Sequence, residues 1–280
     1  MKNIQLLLLT LLGLILSCQC FAQIELRLQP VRKEFIVGEN VTMRLTIVNQ
    51  TDSDYVLKNT PGRPWLNFHL TQRGKTSPVT PIAMARFPEI KITPGSTRSF
   101  DFTLNSAYRL ATDGHFTLSV TVRMPDGKTT YSSNRAIFVL THGGKLREYN
   151  IQARGERIRM SLRLATVNGK GCIFGQAINM DTNRVIGACF LAEYVNFMKP
   201  SVLLDKAQNL HMLCQSSPTF YTYAVMNTHG ERSSAKLYKR TGRIVDLIST
   251  GKGIMPVGLT PYEAPKPGAE NIRNASERPF

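Results

Sequence analysis

Apolar side chains in this chain alternate with polar ones, and after the first twenty or so residues helical spacing almost disappears. Ile24, Leu26 and Leu28 share one face of IELRLQPV. In VTMRLTIVN, Val41, Met43, Leu45 and Ile47 share a face, with Thr42, Arg44 and Thr46 on the other. WLNFHL, SFDFTL, HFTLSVTV and YSSNRAIFVL continue the pattern, separated by clusters of Gly, Pro, Asn and Asp. A period of two is that of an extended strand, whose successive side chains point to opposite faces. The pattern therefore predicts an all-β fold. Its first half has about seven strands, the number in an immunoglobulin-like β-sandwich. From Tyr149 the text changes, and further strands are predicted at 158–167, 171–179, 185–197, 201–205, 209–215, 219–226, 235–240 and 243–248. These build a second, smaller β-sheet domain.

The organisation read from this pattern is a sandwich over 23–145, a second β domain over 146–260 and a disordered tail over 261–280. The tail, PYEAPKPGAENIRNASERPF, is Pro-rich and polar without periodicity. Ahead of the sandwich, residues 1–22 read as a secretory signal. Lys2 gives a positive start, Leu6 to Leu16 form an apolar run, and Cys20-Phe21-Ala22 offers small residues at a cleavage site. Ile15-Leu16-Ser17-Cys18 offers a rival route, a bacterial lipobox that would acylate Cys18, although Leu16 fits that motif poorly. No later run is long and apolar enough to predict a transmembrane segment. The chain is thus expected to be exported, to the periplasm, the cell surface or the medium.

FIVGENVTMRLTIVNQTDSDYVL resembles the opening strands of bacterial immunoglobulin-like and macroglobulin-type domains. ITPGSTRSFDFTL, DGHFTLSVTV and SSNRAIFVL are similar to the way such domains close, and the BsuPI-type proteinase-inhibitor fold shares the layout. The resemblance covers residues 24–141 and implies a fold rather than an activity. This half contains no cysteine, which excludes an antibody-like subclass. In the second half, PSVLLDKAQNLHMLCQ followed by FYTYAVMNTHGE resembles a lone β-propeller blade, too little to close a propeller.

Charge changes the picture only modestly. The formal net charge is +16, and the excess is shared: 17 basic and 10 acidic side chains over 23–148, 14 and 6 over 149–260. The densest run, Arg154, Arg157, Arg159 and Arg163, includes residues on the solvent face of a strand. Neither a recognition helix nor an aromatic RNA-binding motif accompanies it, so specific nucleic-acid binding is not expected.

The common catalytic signatures are missing, and no motif implies a cofactor or a metal. Three cysteines follow the signal, and export makes them candidates for a bridge. A hairpin centred on residues 181–184 sets Cys172 opposite Glu193 and Cys189 opposite Gln176, about 13 Å apart along the ladder. That leaves Cys214 with Cys189 or with Cys172, or three free thiols. Asp205, His211 and Cys214, or a serine such as Ser216, are the nearest approach to a hydrolytic site. His211 and Cys214 are three apart in a strand, however, and so point to opposite faces.

Two aromatic features remain. Trp65, the only tryptophan, precedes Leu66, Phe68 and Leu70. Continuing the alternation places Trp65, Asn67 and His69 together on the outer face as a binding platform; the competing reading packs Trp65 inside. FYTYAVM is apolar on both faces, which reads as a central strand or half of an interface. The function expected is an exported, non-enzymatic binding or surface-attachment protein. Its partner would be a protein or polysaccharide of the envelope or exterior. A proteinase-inhibitor variant would offer the loop Pro81 to Pro88, with Arg86. The alternatives are an exported hydrolase near Asp205 and His211, or an envelope assembly subunit.

Overall fold

The computed structural model describes residues 24–84, 86–251 and 253–263. Residues 1–22, expected to be a signal, with Cys18, and most of the expected tail lie outside the described residues. Within them the fold is all β. Among the described residues, no helix is long and apolar enough to cross a membrane.

The first half of the chain forms β1 (Ile24–Pro30), β2 (Glu34–Ile36), β3 (Thr42–Asn49), β4 (Tyr55–Leu57), β5 (Leu66–Gln72), β6 (Ile90–Ile92), β7 (Thr97–Thr103), β8 (Gly114–Arg123), β9 (Thr130–Ser132) and β10 (Ala136–Thr141). The second half forms β11 (Gly144–Ala153), β12 (Glu156–Val167), β13 (Lys170–Asn179), β14 (Arg184–Glu193), β15 (Ser201–Leu204), β16 (Leu210–Gln215), β17 (Phe220–Met226), β18 (Arg232–Arg240), β19 (Asp246–Thr250), β20 (Gly253–Val257) and β21 (Leu259–Pro261). They fold into two compact units. The first comprises residues 24–33, 41–109 and 114–139; the second takes Glu34–Asn40, Leu110–Asp113 and the chain from Leu140 onward.

In the first unit, β1, β3 and β7 form one antiparallel sheet, with Leu28 opposite Leu45 and Leu45 opposite Phe100. A second sheet runs β10-β8-β5, with β9 beside β8, and β4 pairs with β6. The alternation seen in the sequence carries over directly: Ile24, Leu26, Leu28, Met43, Leu45 and Ile47 are all buried. Phe68 of β5 stacks on Phe102 of β7 with ring centroids 5.1 Å apart, so the two sheets face one another. Asn134 ties the layers by accepting from Leu28 N–H and donating to Leu28 C=O.

The second unit is built on two antiparallel meanders, β11-β12-β13-β14 and β15-β16-β17-β18, with β21 added beside β18. They bury Met160, Leu162, Ile173, Leu210, Met212, Ala224 and Met226 in one cluster. On the other face of the second meander, the β19–β20 hairpin contributes Leu247 and Ile254 to a cluster with Tyr221, Tyr223 and Val225. β17 is therefore central, which explains why FYTYAVM is apolar on both sides. β11 was missed by the alternation because a bulge between Lys145 and Arg147 shifts its phase. Pro261 still pairs with Tyr238, and the Tyr262 ring lies 4.8 Å from Phe220, so order extends slightly past residue 260.

β13 has no solvent face at its centre, since Cys172 through Ala177 are buried in succession. Its outer side is covered by Glu34–Asn40, where Ile36 packs on Cys172 and Phe174. Gln176 Nε2 donates to Val37 C=O at 2.8 Å, and Ala188 N–H donates to Gly38 C=O at 3.0 Å. Gly38 has φ +92°, and a Cβ there would meet Val185 Cγ1 at 2.3 Å. We expect Gly38→Ala to destabilise by about 1–3 kcal/mol, through strain and overpacking together. Urea denaturation measures the loss, and hydrogen exchange should locate it in β13 and β14 although the substitution lies over a hundred residues earlier.

Candidate functional site

Trp65 is buried, only 2% exposed, and does not form an outward platform with Asn67 and His69. The reason is local. β5 begins at Leu66, and Trp65 occupies a bend just before it, so the strand's period does not extend to the indole. Trp65 turns inward to meet Phe87 and Phe100 edge-on, at 6.0 and 6.1 Å. Phe87 also meets Phe68 and Phe102, closing a cluster of five aromatic rings. Asn67 is half-buried, donating weakly to Pro64 C=O, and His69 is exposed. Ile82 and Met84 are 62% and 60% exposed, whereas Phe87 beyond them is drawn into the cluster.

Although turned inward, Trp65 still lines a cavity of about 260 Å³ in the first unit. Lys58, Arg63 and Arg123 stand around it, with Met124 and the prolines 64 and 125 supplying apolar wall. The rim is braced. Thr60 and Arg63 exchange two backbone hydrogen bonds, Asn59 accepts from Trp65 N–H and donates to Phe87 C=O, and Arg123 N–H donates to Trp65 C=O. Opposite, Asp126 accepts from the backbone of Lys128 and Thr129 and from the Thr129 hydroxyl, fixing the turn beyond Pro125. Hydrogen bonding holds the Asp126 carboxyl below the usual carboxylate range. Among the described residues, Lys58, Arg63 and Arg123 have no carboxylate partner, and the buried Trp65 Nε1 has no acceptor. The sequence pattern pointed to the tryptophan but not to the three cations, two from the β4–β5 connection and one from the end of β8, which carry no local motif.

Asp205 and His211 do come together. His211 Nε2 donates to Asp205 Oδ2 at 3.1 Å, and Nδ1 shares a 2.6 Å hydrogen bond with the Tyr223 hydroxyl. Tyr223 reaches on to Ile254 C=O at 3.1 Å, and Asn209 donates to Asp205 from backbone and side chain. The chain of bonds thus runs from the β15–β16 turn through the sheet to the β19–β20 hairpin. Burial works to raise the Asp205 carboxyl, but hydrogen bonds from His211 and Asn209 outweigh it and hold the group below its ordinary range. Both imidazole nitrogens are committed to this tie.

The cysteines offer no nucleophile beside it. Cys172, Cys189 and Cys214 are not joined in disulfides, so the pairings of Cys214 with Cys189 or Cys172 are not formed. Cys172 opposes Glu193 as expected, while a bulge moves Cys189 to oppose Gly175 rather than Gln176. Cys172 packs with Ile36 on the outer side of its sheet, and Cys214 packs between the two meanders. Burial pushes the thiols of Cys189 and Cys214 up to about 12, where they remain protonated at neutral pH. Ser216 bonds to Phe220 C=O and Thr222. Among the described residues, no three His, Cys, Asp or Glu side chains are grouped to hold a metal.

Comparison with known proteins adds little. No protein-family model and no curated protein matches the chain. Among solved structures, the alkylpurine DNA glycosylase AlkC of Pseudomonas fluorescens, bound to DNA containing an abasic site analogue, is similar at 11% identity and TM-score 0.31. The match covers 45% of this chain and 33% of that one, so the chain spans a third of that protein. The sporulation control protein Spo0M of Bacillus subtilis is similar at 9% identity and TM-score 0.31, over 76% of this chain and 83% of its own. At these scores neither likeness carries an argument.

Two measurements check the geometry above. Trp65 is the sole tryptophan, so its emission should be that of an apolar site and resist acrylamide quenching; red-shifted, easily quenched emission would restore the outward platform. Asp205→Asn should cost about 1–2 kcal/mol at pH 7, the order of a lost part-buried charge-assisted bond. A carboxylate with a depressed folded pKa stabilises above its unfolded value, near 4, and loses that contribution as pH falls through the folded value. The gap between variant and wild type should therefore shrink in urea denaturation below pH 3.

Proposed function

We propose that this chain is an exported binding protein that captures an acidic group of an envelope or extracellular partner in the cavity beside Trp65. The observation that carries the reading is three cations that have no carboxylate partner among the described residues, Lys58 and Arg63 on the braced β4–β5 connection and Arg123 at the end of β8, standing around an apolar-walled cavity. Pre-organised positive groups bind a carboxylate or sulfate at little ordering cost, and an apolar wall lowers the local dielectric and strengthens each contact. Export rests on the signal pattern of residues 1–22. The hydrolase alternative draws less support, because His211 is tied on both nitrogens and the neighbouring Cys214 thiol is protonated and buried.

The test uses Trp65 as its own reporter. Titration with polyglutamate or polygalacturonate should alter its emission, whereas neutral dextran should not. Arg63→Ala with Arg123→Ala should weaken the response at least tenfold, and raising salt from 50 to 500 mM should weaken that of the wild type. An unchanged affinity in the double variant, or no response of Trp65 to either polyanion, would overturn the reading.

A further inference from the structure

Three hairpin turns of the second unit converge on a separate cavity of about 460 Å³, within the range of about 300–1,000 Å³ usual for small-molecule sites. The β11–β12 turn brings Arg154, the β13–β14 turn brings Asn179 and Thr182 with Arg184 at the start of β14, and the β17–β18 turn brings His229. Each turn is held in place. Asn179 Oδ1 accepts from Asp181 N–H and Thr182 N–H, and Asn227 Oδ1 accepts from His229 N–H and Glu231 N–H. Arg157 pairs with Asp181 through two guanidinium nitrogens, holding its carboxyl below the usual range, and so takes itself out of the ligand-binding set. The first meander and the β17–β18 turn touch backbone to backbone: a Cβ on Gly187 would meet His229 C=O at 2.4 Å.

Arg154 is the informative residue. It sits at φ +56°, followed by Gly155 at +79°, in a turn whose first position favours Asn, Asp or Gly. An arginine in that left-handed position is strained, and nothing in the turn requires its side chain. Its guanidinium extends instead across to His229 Nε2 at 3.0 Å, leaving further N–H donors at the cavity. Arg184 faces the same space and, among the described residues, has no carboxylate partner.

We infer that this cavity binds an acidic sugar, a saccharide unit bearing one carboxylate. Two guanidinium groups fit a carboxylate in paired, planar hydrogen bonds. Asn179 and Thr182 match ring hydroxyls, and the apolar side chains of Ile158 and Ile186 match the C–H face of a ring. Glu156 on the same lining accepts from hydroxyls and opposes a doubly charged phosphate, which selects a singly charged, hydroxyl-rich ligand. The site lies in a different unit from the Trp65 cavity and stands or falls independently of it.

Saturation-transfer NMR and calorimetry on the full chain, with D-galacturonate, D-galactose and inorganic phosphate, test the inference. Galacturonate should bind at least tenfold more tightly than either of the others. Arg184→Gln should abolish that preference, and Arg154→Asn should do so while relieving the turn rather than harming folding. Lys239→Gln, an equal change of net charge on β18, should leave the preference intact. Equal binding of galactose and galacturonate, competition by phosphate at equal strength, an unaltered Arg184→Gln profile, or no binding of galacturonate would each overturn it.

Discussion

The second unit depends on covering a strand that has no solvent side. Six consecutive residues of β13, Cys172 to Ala177, are buried. One side is satisfied by the second meander, but the other would expose Cys172 and Phe174 unless another segment lay on it. Burying a side chain such as Phe174 is worth about 1.5–3 kcal/mol, enough to recruit a few residues from far along the chain. Glu34–Asn40 supplies them, and Gln176 binds Val37 C=O as a buried amide must bind something. The tie is incomplete, since Gln176 Oε1 and the neighbouring Ser161 Oγ have no partner. The first half of the sequence is therefore not free to be one uninterrupted domain.

Both cavities follow a common logic. Sheets fix the positions of turns, turns brace themselves with Asn and Asp side chains, and long cations on the turns or at the strand ends beside them line apolar wall. Binding groups on such turns lose little freedom when a ligand arrives. The groups of the expected hydrolytic site are instead tied into the fold. His211 joins a turn, a sheet and a hairpin through Asp205, Tyr223 and Ile254, and desolvation holds the thiols of half-buried Cys189 and buried Cys214 protonated. The high net charge matters in the same local sense. Spread evenly, +16 raises non-specific attraction to anions; recognition, as proposed above, needs cations that lack carboxylate partners and share a cavity.

The strands were largely legible because alternation is a one-dimensional signal: the side chains of an extended chain take opposite faces whatever lies beyond them. Seven of the eight strands expected after Tyr149 match those formed to within about three residues, and the centrality of β17 followed from its two apolar faces. The signal failed where the phase broke, at the bulge in β11 and at the bend of Trp65. At Trp65 the error reversed the side chain's direction, because a single non-extended residue moves everything before it to the other face. The cations of both cavities were invisible for a different reason. Arg123 lies some sixty residues from Lys58 and Arg63, and Arg154, Arg184 and His229 come from three separate hairpins, so no spacing rule links them.

By itself, then, the sequence determined the all-β class, most strand positions, the turns that separate them and the opposed directions of His211 and Cys214. These are consequences of backbone geometry within a few residues. Tertiary structure alone decided that Trp65 closes an aromatic cluster, that Glu34–Asn40 serves the second unit, that Asp205 meets His211 in a tie ending at Ile254, and which turns meet around a cavity. Those outcomes depend on how sheets bury their apolar faces against one another, a long-range balance of area and polar satisfaction that a local pattern does not encode.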